Sequence, residues 1–456
     1  MDTAAWLGLV LLGMLVWTGL PAVIAIAVVA LGAVIAAVSP VGASAAILSA
    51  LPFVYYAVPF GSQGVSPLEL AIVVASAGLG FHTIHAMVRG ELRRHIAAML
   101  SPLPLTLSAA ALAIVGVLSL AFVADPEHLG ESVLELRKTI LEPIAVLVLI
   151  RWSMRRNGLA LLVLALASSG VMAAIIGAGQ LATGAGGVVG DETYRARGPY
   201  PHPNNLALYL ERVAMFIAGI ALMSHRLRKL TVPILVVLVA GLALTFSRGA
   251  LLGVATGAAT LLVIKRPTRG WSMYGIGLAG AVVTFAAIAG GRLLATGADG
   301  ATSTRELLWR SSLRMAADHP IAGVGLDQFL YQYGRRYVDP AGWPERYTSH
   351  PHNLFLDVWL RLGVGGIVVF TVIAFVSVQL VKCSRKNEDL PGSTAAGAIA
   401  ALVAGVAHGV VDNSFFLPDL AVLTWFFLAT IEHDGPTLSS RRIVWPGRRF
   451  TRPASS

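Results

Sequence analysis

Apolar runs long enough, or nearly long enough, to cross a bilayer recur along almost the whole chain, and no other feature limits the fold as strongly. They fall at about 4–19, 22–38, 43–60, 67–88, 96–123, 138–153, 158–182, 204–223, 230–246, 249–264, 271–290, 352–381, 393–411 and 417–433. A crossing helix needs about 20 residues, with a range of about 17–25, so the shorter runs are the weaker ones. The count is fourteen, or twelve if the pairs interrupted only by Pro21 and by Ser247-Arg248-Gly249 each form one span. Either count leaves both termini on one side. The composition agrees, with 56% hydrophobic and only 13% charged residues, where a soluble domain carries about a quarter charged. The expected fold is an all-α membrane protein, a polytopic bundle of 12–14 transmembrane helices with one large outer loop. The start of the chain lacks a basic region, carries Asp2 and runs on into further apolar sequence, so retained spans are expected there rather than a cleaved signal peptide. Cys383 stands alone and excludes an intramolecular disulfide.

The formal net charge of +10 comes from 34 Lys and Arg against 24 Asp and Glu. Twenty of the 34 sit in short tracts: Arg89/Arg93/Arg94, Arg151/Arg155/Arg156, Arg226/Arg228/Lys229, Lys265/Arg266/Arg269, Lys382/Arg385/Lys386 and five tail arginines from Arg441 to Arg452. If the runs alternate, every tract falls on one side, which the positive-inside rule makes the cytoplasm. The remaining 14 share the other side with 18 of the 24 acidic residues. The positive excess is therefore topology, and no nucleic-acid partner is expected.

On that topology the outer side carries Asp125 to Thr139, Thr183 to Pro203, Arg292 to His350 and the short turn Asp412-Asn413-Ser414. The third is about 59 residues long, beyond ordinary connections, which suggests a functional lid or cap. Within it, Ser303 to Ala317 has helical character. Ser303 or Thr304 is the expected cap, Leu307, Leu308, Trp309, Leu313 and Met315 give apolar surface, and Pro320 is the stop. Such a helix either lies on the outer leaflet with Trp309 at headgroup level or packs on the bundle. The chain then divides into N-terminal spans (1–182), central spans carrying arginine motifs (183–291), the large loop (292–350), C-terminal spans (351–433) and a cytoplasmic tail (434–456).

The sequence has no phosphate-binding glycine loop, Asp-x-Asp pair, His-Glu-x-x-His helix or cysteine cluster, so it indicates neither a nucleotide-driven pump nor a metal centre. His350 and His352, two residues apart, are expected on opposite sides of an extended segment, which argues against a two-histidine metal site. What remains is the junction Ser349-His350-Pro351-His352-Asn353 at the rim of a span, and arginines at membrane depth. Charges there are costly and mark function by default. Arg197 follows a glycine-rich segment, Arg248 lies between two apolar runs, and Arg305 opens the amphipathic helix. A guanidinium suits phosphate oxygens at any working pH, and an imidazole is the natural base near neutrality. The set suits glycosyl transfer from a polyprenyl pyrophosphate, with arginines stabilising the leaving group in place of a metal. Each residue also has a plainer reading: a rim arginine as headgroup anchor, His352 as helix cap, Asp412 as a helix end or as the group that orients a histidine.

Four segments then carry a resemblance. They are Arg197-Gly198-Pro199-Tyr200-Pro201-His202-Pro203-Asn204; Leu244-Thr245-Phe246-Ser247-Arg248-Gly249-Ala250; Arg305-Glu306-Leu307-Leu308-Trp309 with Asp318-His319-Pro320-Ile321-Ala322-Gly323-Val324-Gly325; and His352-Asn353 followed by Gly363 and Gly366. In this order, from about Arg197 to Gly366, the chain resembles the O-antigen ligase and polymerase superfamily of polytopic bacterial membrane proteins. Ile367 departs from the Thr or Asn frequent in ligases. The resemblance implies a GT-C-like glycosyltransferase of the bacterial inner membrane, free of metal and cofactor, with its large loop and active site facing the periplasm. The implied reaction moves a glycan from undecaprenyl pyrophosphate to a sugar hydroxyl, on lipid A core or a similar acceptor, with inversion. By position it implies His352 as general base and Arg248 and Arg305 as pyrophosphate ligands, with Arg197 in support. Asn353, His350 and Asp412 are the expected supporting residues. A polymerase of the same superfamily is the nearest alternative, and a transporter or flippase of lipid-linked glycan is the alternative from another class. Gly363 and Gly366 are expected to admit a close neighbour.

Overall fold

The fold is given by a computed structural model, described for residues 1–17, 22–60, 63–101, 103–190, 193–265, 299–383 and 389–434. The expected span at 271–290, the loop residues up to 298 and the tail from 435 lie outside the described residues. The first half contains α1 (Asp2–Val16), α2 (Ala22–Val38), α3 (Pro40–Ala50), α4 (Pro67–Val88), α5 (Leu92–Leu100), α6 (Leu103–Ser119), α7 (Leu129–Glu135), α8 (Glu142–Met154) and α9 (Leu159–Thr183). The second contains α10 (Pro203–Met223), α11 (Arg228–Ala243), α12 (Arg248–Lys265), α13 (Asp299–Asp318), α14 (Leu354–Cys383), α15 (Leu390–Gly409) and α16 (Pro418–Asp434). Seven helical stretches among the described residues, those of α4, α6, α9, α10, α12, α14 and α15, are long and apolar enough to cross a membrane. The chain is an all-α, multi-pass membrane protein.

Both weak pairs of runs are two helices each. Ser39, at the end of α2, donates from Oγ to Asp2 Oδ1 at the start of α1 (2.6 Å), so α1 and α2 run antiparallel. Around Arg248 the helices reverse in the same way. Arg228 at the start of α11 donates from Nε to the Ala221 carbonyl near the end of α10 (3.0 Å), while Gly241 near the end of α11 lies beside Leu210. In contrast α12 runs parallel to α10: Gly253 faces Glu211, Gly257 faces Met215, and Lys265 Nζ reaches the Leu222 carbonyl (2.8 Å). Phe246, at φ +49°, makes the turn between α11 and α12.

The centre of the bundle is α10, buried along its whole apolar length, with α12 and α15 packed on it. Gly249, Gly253 and Gly257 recur every fourth residue and so form one face of α12. A Cβ on that face would run into His408, Glu211 or Met215. Gly219 and Gly397 meet in the same way where α10 crosses α15. In lipid, where apolar surface gains little by leaving one hydrocarbon for another, such close backbone approach supplies the contact that holds helices together.

Four expectations need correction. The run 96–123 is two helices, because the chain leaves helical geometry at Ser101 and restarts at Leu103. The outer stretch expected from Asp125 to Thr139 is mostly helical: α7 passes through a π turn (Leu136–Leu141) into α8. The stretch after α9 holds a pair of short antiparallel strands, β1 (Val188–Gly190) with β2 (Thr193–Arg195), and Val58–Phe60 pairs with Gln63–Val65 in the same way. Gly363 admits a loop and not a helix. It sits at φ +63°, a Cβ would strike the backbone of Ile321 and Ala322, and Val364 N donates to the Ile321 carbonyl (2.9 Å). Gly366 faces Leu362 and Val358 on the preceding turn of its own helix.

The large loop packs on the bundle through that strap. Val324 N donates to the Leu360 carbonyl (2.7 Å), Trp359 Nε1 donates to the Pro320 carbonyl (2.9 Å), and Leu308, Met315, Val324, Phe329 and Tyr333 form a small second core against Leu360.

Candidate active site

The starts of α10, α12, α14 and α16 and the ends of α9, α11 and α15 meet at one end of the bundle. There Asp412 stands at the centre, on the turn between α15 and α16. It is buried, and its Oδ1 receives His352 Nδ1 at 2.8 Å and Asn413 N at 2.8 Å. His350 Nε2 lies 3.5 Å from the same oxygen, and the two imidazole centroids are 4.3 Å apart. Asn204 Nδ2 approaches Asp412 Oδ2 at 3.3 Å.

The expectation that His350 and His352 face opposite sides is overturned by the backbone. His352 sits at φ +48°, a left-handed conformation that is neither strand nor helix, and it turns both rings onto one carboxylate. Histidine is among the residues that tolerate this region, and non-glycine residues held there gather at functional sites. Asn353 fixes the turn from below. Its Oδ1 accepts from the backbone N–H of Phe355 (3.0 Å) and Leu356 (3.1 Å), capping α14, while its Nδ2 donates to the Val410 carbonyl (2.9 Å). From above, Trp309 Nε1 donates to the carbonyls of Pro351 (3.1 Å) and His352 (3.4 Å). The helix that carries it therefore packs on the site, and Trp309 serves as a clamp instead of a headgroup anchor.

The electrostatics follow from this cluster. Burial alone would raise the Asp412 carboxyl, but hydrogen bonds from His350 and His352 outweigh it and hold the group well below the usual carboxylate range. Burial pushes the His350 imidazole down, against the upward pull of Asp412, and burial with the Arg195 charge lowers His202. An ionised Asp412 can only accept, so His352 donates from Nδ1, and in the neutral imidazole the lone pair then lies on Nε2. Among the described residues, His350, His352 and Asp412 form a group that could hold a metal ion, their donor atoms all lying within 4.8 Å of one another.

The arginines divide. Arg248 opens α12 at this end, next to Gly249, whose Cα lies against His408 of α15. Arg305 is half-buried on α13 one turn before Trp309, on the face that meets the His352 turn. Arg197 is held away from the cluster by carbonyls, donating from Nε to Gly186 (2.5 Å) and from Nη1 to Tyr200 (3.1 Å). Its neighbour Arg195 is the one tied to the cluster. It donates from Nη2 to Asn204 Oδ1 (2.8 Å) and from Nε to the Thr245 carbonyl (2.8 Å), joining the strand pair to α10 and to the turn before Arg248.

Sequence reasoning passed over Arg195 and a second, deeper layer. Glu211 and His408, both fully buried, pair at 2.8 Å across α10 and α15. Arg212 donates from Nη2 to the Ser414 carbonyl (2.6 Å), which pins the turn that carries Asp412. The available signal was a Glu-Arg pair inside an otherwise apolar run, since charges at that depth persist only with a partner and a purpose.

Residues 233–371 match the family described as O-antigen ligase. The match takes in Arg248, Arg305, His350, His352 and Asn353, begins after Arg195 and Arg197, and ends before Asp412. No curated protein matches the chain. The shared domain implies lipid-linked glycan substrates and an O-antigen ligase or polymerase type of activity. A domain of that family, set in a multi-pass all-α bundle, supports kinship with the O-antigen ligase and polymerase superfamily.

Proposed function

We propose that the chain is a metal-independent ligase-type glycosyltransferase of the bacterial inner membrane, with its site on the periplasmic side. It moves a glycan from undecaprenyl pyrophosphate to an acceptor sugar hydroxyl, on lipid A core or a similar glycolipid. The observation that carries this reading is the Asp412–His352 pair (2.8 Å) at the bundle end that also holds Arg248 and Arg305. His352 Nε2 takes the proton of the acceptor hydroxyl as its oxygen attacks the anomeric carbon. The bond from that carbon to the pyrophosphate oxygen breaks, and the leaving group departs with both electrons. Asp412 fixes the tautomer and stabilises the imidazolium that forms. Arg248 and Arg305 face the charge growing on the pyrophosphate, and Arg197 supports the donor loop. A single displacement of this kind inverts the anomeric centre.

In a deletion strain, complete glycan is expected to accumulate on its lipid carrier with the acceptor left bare. Loss of chain-length variation, with single repeats still attached to the acceptor, would instead assign the polymerase reading. Transfer by the purified protein is expected to survive EDTA. Abolition by the chelator with recovery on adding a divalent ion would contradict metal independence.

Asp412→Asn gives a separate check. Losing the carboxylate removes the acceptor that fixes the His352 tautomer at 2.8 Å and the charge that stabilises the imidazolium as it forms. Turnover by Asp412→Asn is therefore expected to fall by about 10²–10⁴, the range of a general base deprived of its orientation. An unchanged turnover in the folded variant would remove Asp412 from the mechanism.

A further inference from the structure

An apolar cavity of about 430 Å³ lies among α1, α2, α3, α4 and α9, away from the polar cluster. Small residues make the room, among them Gly13, Gly32, Ala46 and Ala71. Among its lining residues, Met14 is 59% exposed on the outer surface of the bundle, so the space opens toward the bilayer. Ser49, one of the few polar residues in the lining, already accepts Trp6 Nε1 (2.9 Å) and donates to the Ala45 carbonyl (3.2 Å), which leaves the interior suited to hydrocarbon.

The cavity borders the segments that lead to the site. Its wall includes Pro199, two residues from Arg197, and Phe53 and Tyr56, which flank Tyr55. The Tyr55 ring packs on Tyr200 at 5.9 Å, and its hydroxyl accepts from Asn205 Nδ2 (3.4 Å), next to the Asn204 that reaches Asp412. A lipid with its charged head by the arginines would thus find its chain directed into this space. We propose that the cavity holds the isoprenoid chain of the lipid-linked donor, a reading that rests on the donor class proposed above. A hydrocarbon chain gains little by leaving the bilayer for a protein cavity, so the site acts chiefly by aligning the chain and thereby the pyrophosphate.

Two measurements on the full-length protein in proteoliposomes test it. A photo-crosslinking amino acid in place of Ala71 is compared with one in place of Ile114, a 60% exposed residue on α6, using an alkyne-labelled polyprenyl pyrophosphate. Capture of the labelled chain at position 71 well above position 114 is expected. Equal capture, or bilayer phospholipid retained at 71 under excess donor, overturns the proposal. In parallel, Gly32→Leu fills the space from a position where an added Cβ meets only ordinary contacts, 3.4 Å from Val74 and 3.6 Å from Leu9. It is expected to lower kcat/KM for the long-chain donor by about tenfold to a hundredfold, the cost of misplacing the pyrophosphate when its chain is no longer aligned, and to leave a short-chain donor unchanged. An unchanged kcat/KM for the long donor overturns the proposal. Absence of transfer from either donor by the wild type would instead overturn the donor class, while the capture result would still decide what fills the cavity.

Discussion

Replacing His352 with alanine is expected to lower turnover by about 10²–10⁴, the range that a positioned general base contributes. Donor binding should be largely retained, because the arginines and not the imidazole carry the pyrophosphate. His350→Ala should cost less. Its ring stands 3.5 Å from Asp412 where that of His352 stands at 2.8 Å, and only His352 sits in the left-handed turn clamped by Trp309. Single-turnover transfer and equilibrium binding of labelled donor separate the two effects. A folded His352→Ala protein that transfers at the wild-type rate would move the base to His350 or His202, both within the electrostatic reach of Asp412.

Arg248→Ala and Arg305→Ala are each expected to lower turnover by about 10²–10³, taking the loss of one donor to a developing anion, about 2.7–4 kcal/mol, as the scale. Lysine should rescue poorly, because a single ammonium cannot present the planar fork that matches two phosphate oxygens. Arg197→Ala should cost less than either. Its guanidinium is already engaged by the Gly186 and Tyr200 carbonyls, so its loss loosens the loop before α10 more than it strips charge from the donor. The comparison is made on kcat and on donor affinity with protein levels matched. Normal turnover in both Arg248→Ala and Arg248→Lys would show that the pyrophosphate is held elsewhere, with Arg195 the next candidate because it joins the strand pair to Asn204.

The helical bundle was legible because lipid demands long apolar helices, and among the described residues almost every run named from the sequence has its helix. The exceptions have local causes. A run's hydropathy does not register a break such as that at Ser101, nor the helical start of α7 among charged residues, because both depend on what packs nearby. At the site, the residue types at the loop–helix junction identified His352 and Asn353 as candidates, and the resemblance supplied the arginines. Their convergence was not legible. Asp412 lies 60 positions from His352, and the histidine pair turns on one positive φ that residue spacing cannot convey. Arg195 was hidden by its neighbour, since two arginines separated by one alanine look equivalent until the fold places one on Asn204 and the other on carbonyls.

The decisive measurement is transfer by the purified protein in proteoliposomes supplied with a defined polyprenyl-pyrophosphate glycan and a sugar acceptor in the presence of EDTA, with His352→Ala run in parallel. The expected result is release of polyprenyl pyrophosphate in step with formation of a linkage of inverted anomeric configuration by the wild type, and loss of both in the variant. Release without transfer, retention of configuration, or equal transfer by the folded His352→Ala protein would contradict a single displacement with His352 as its base.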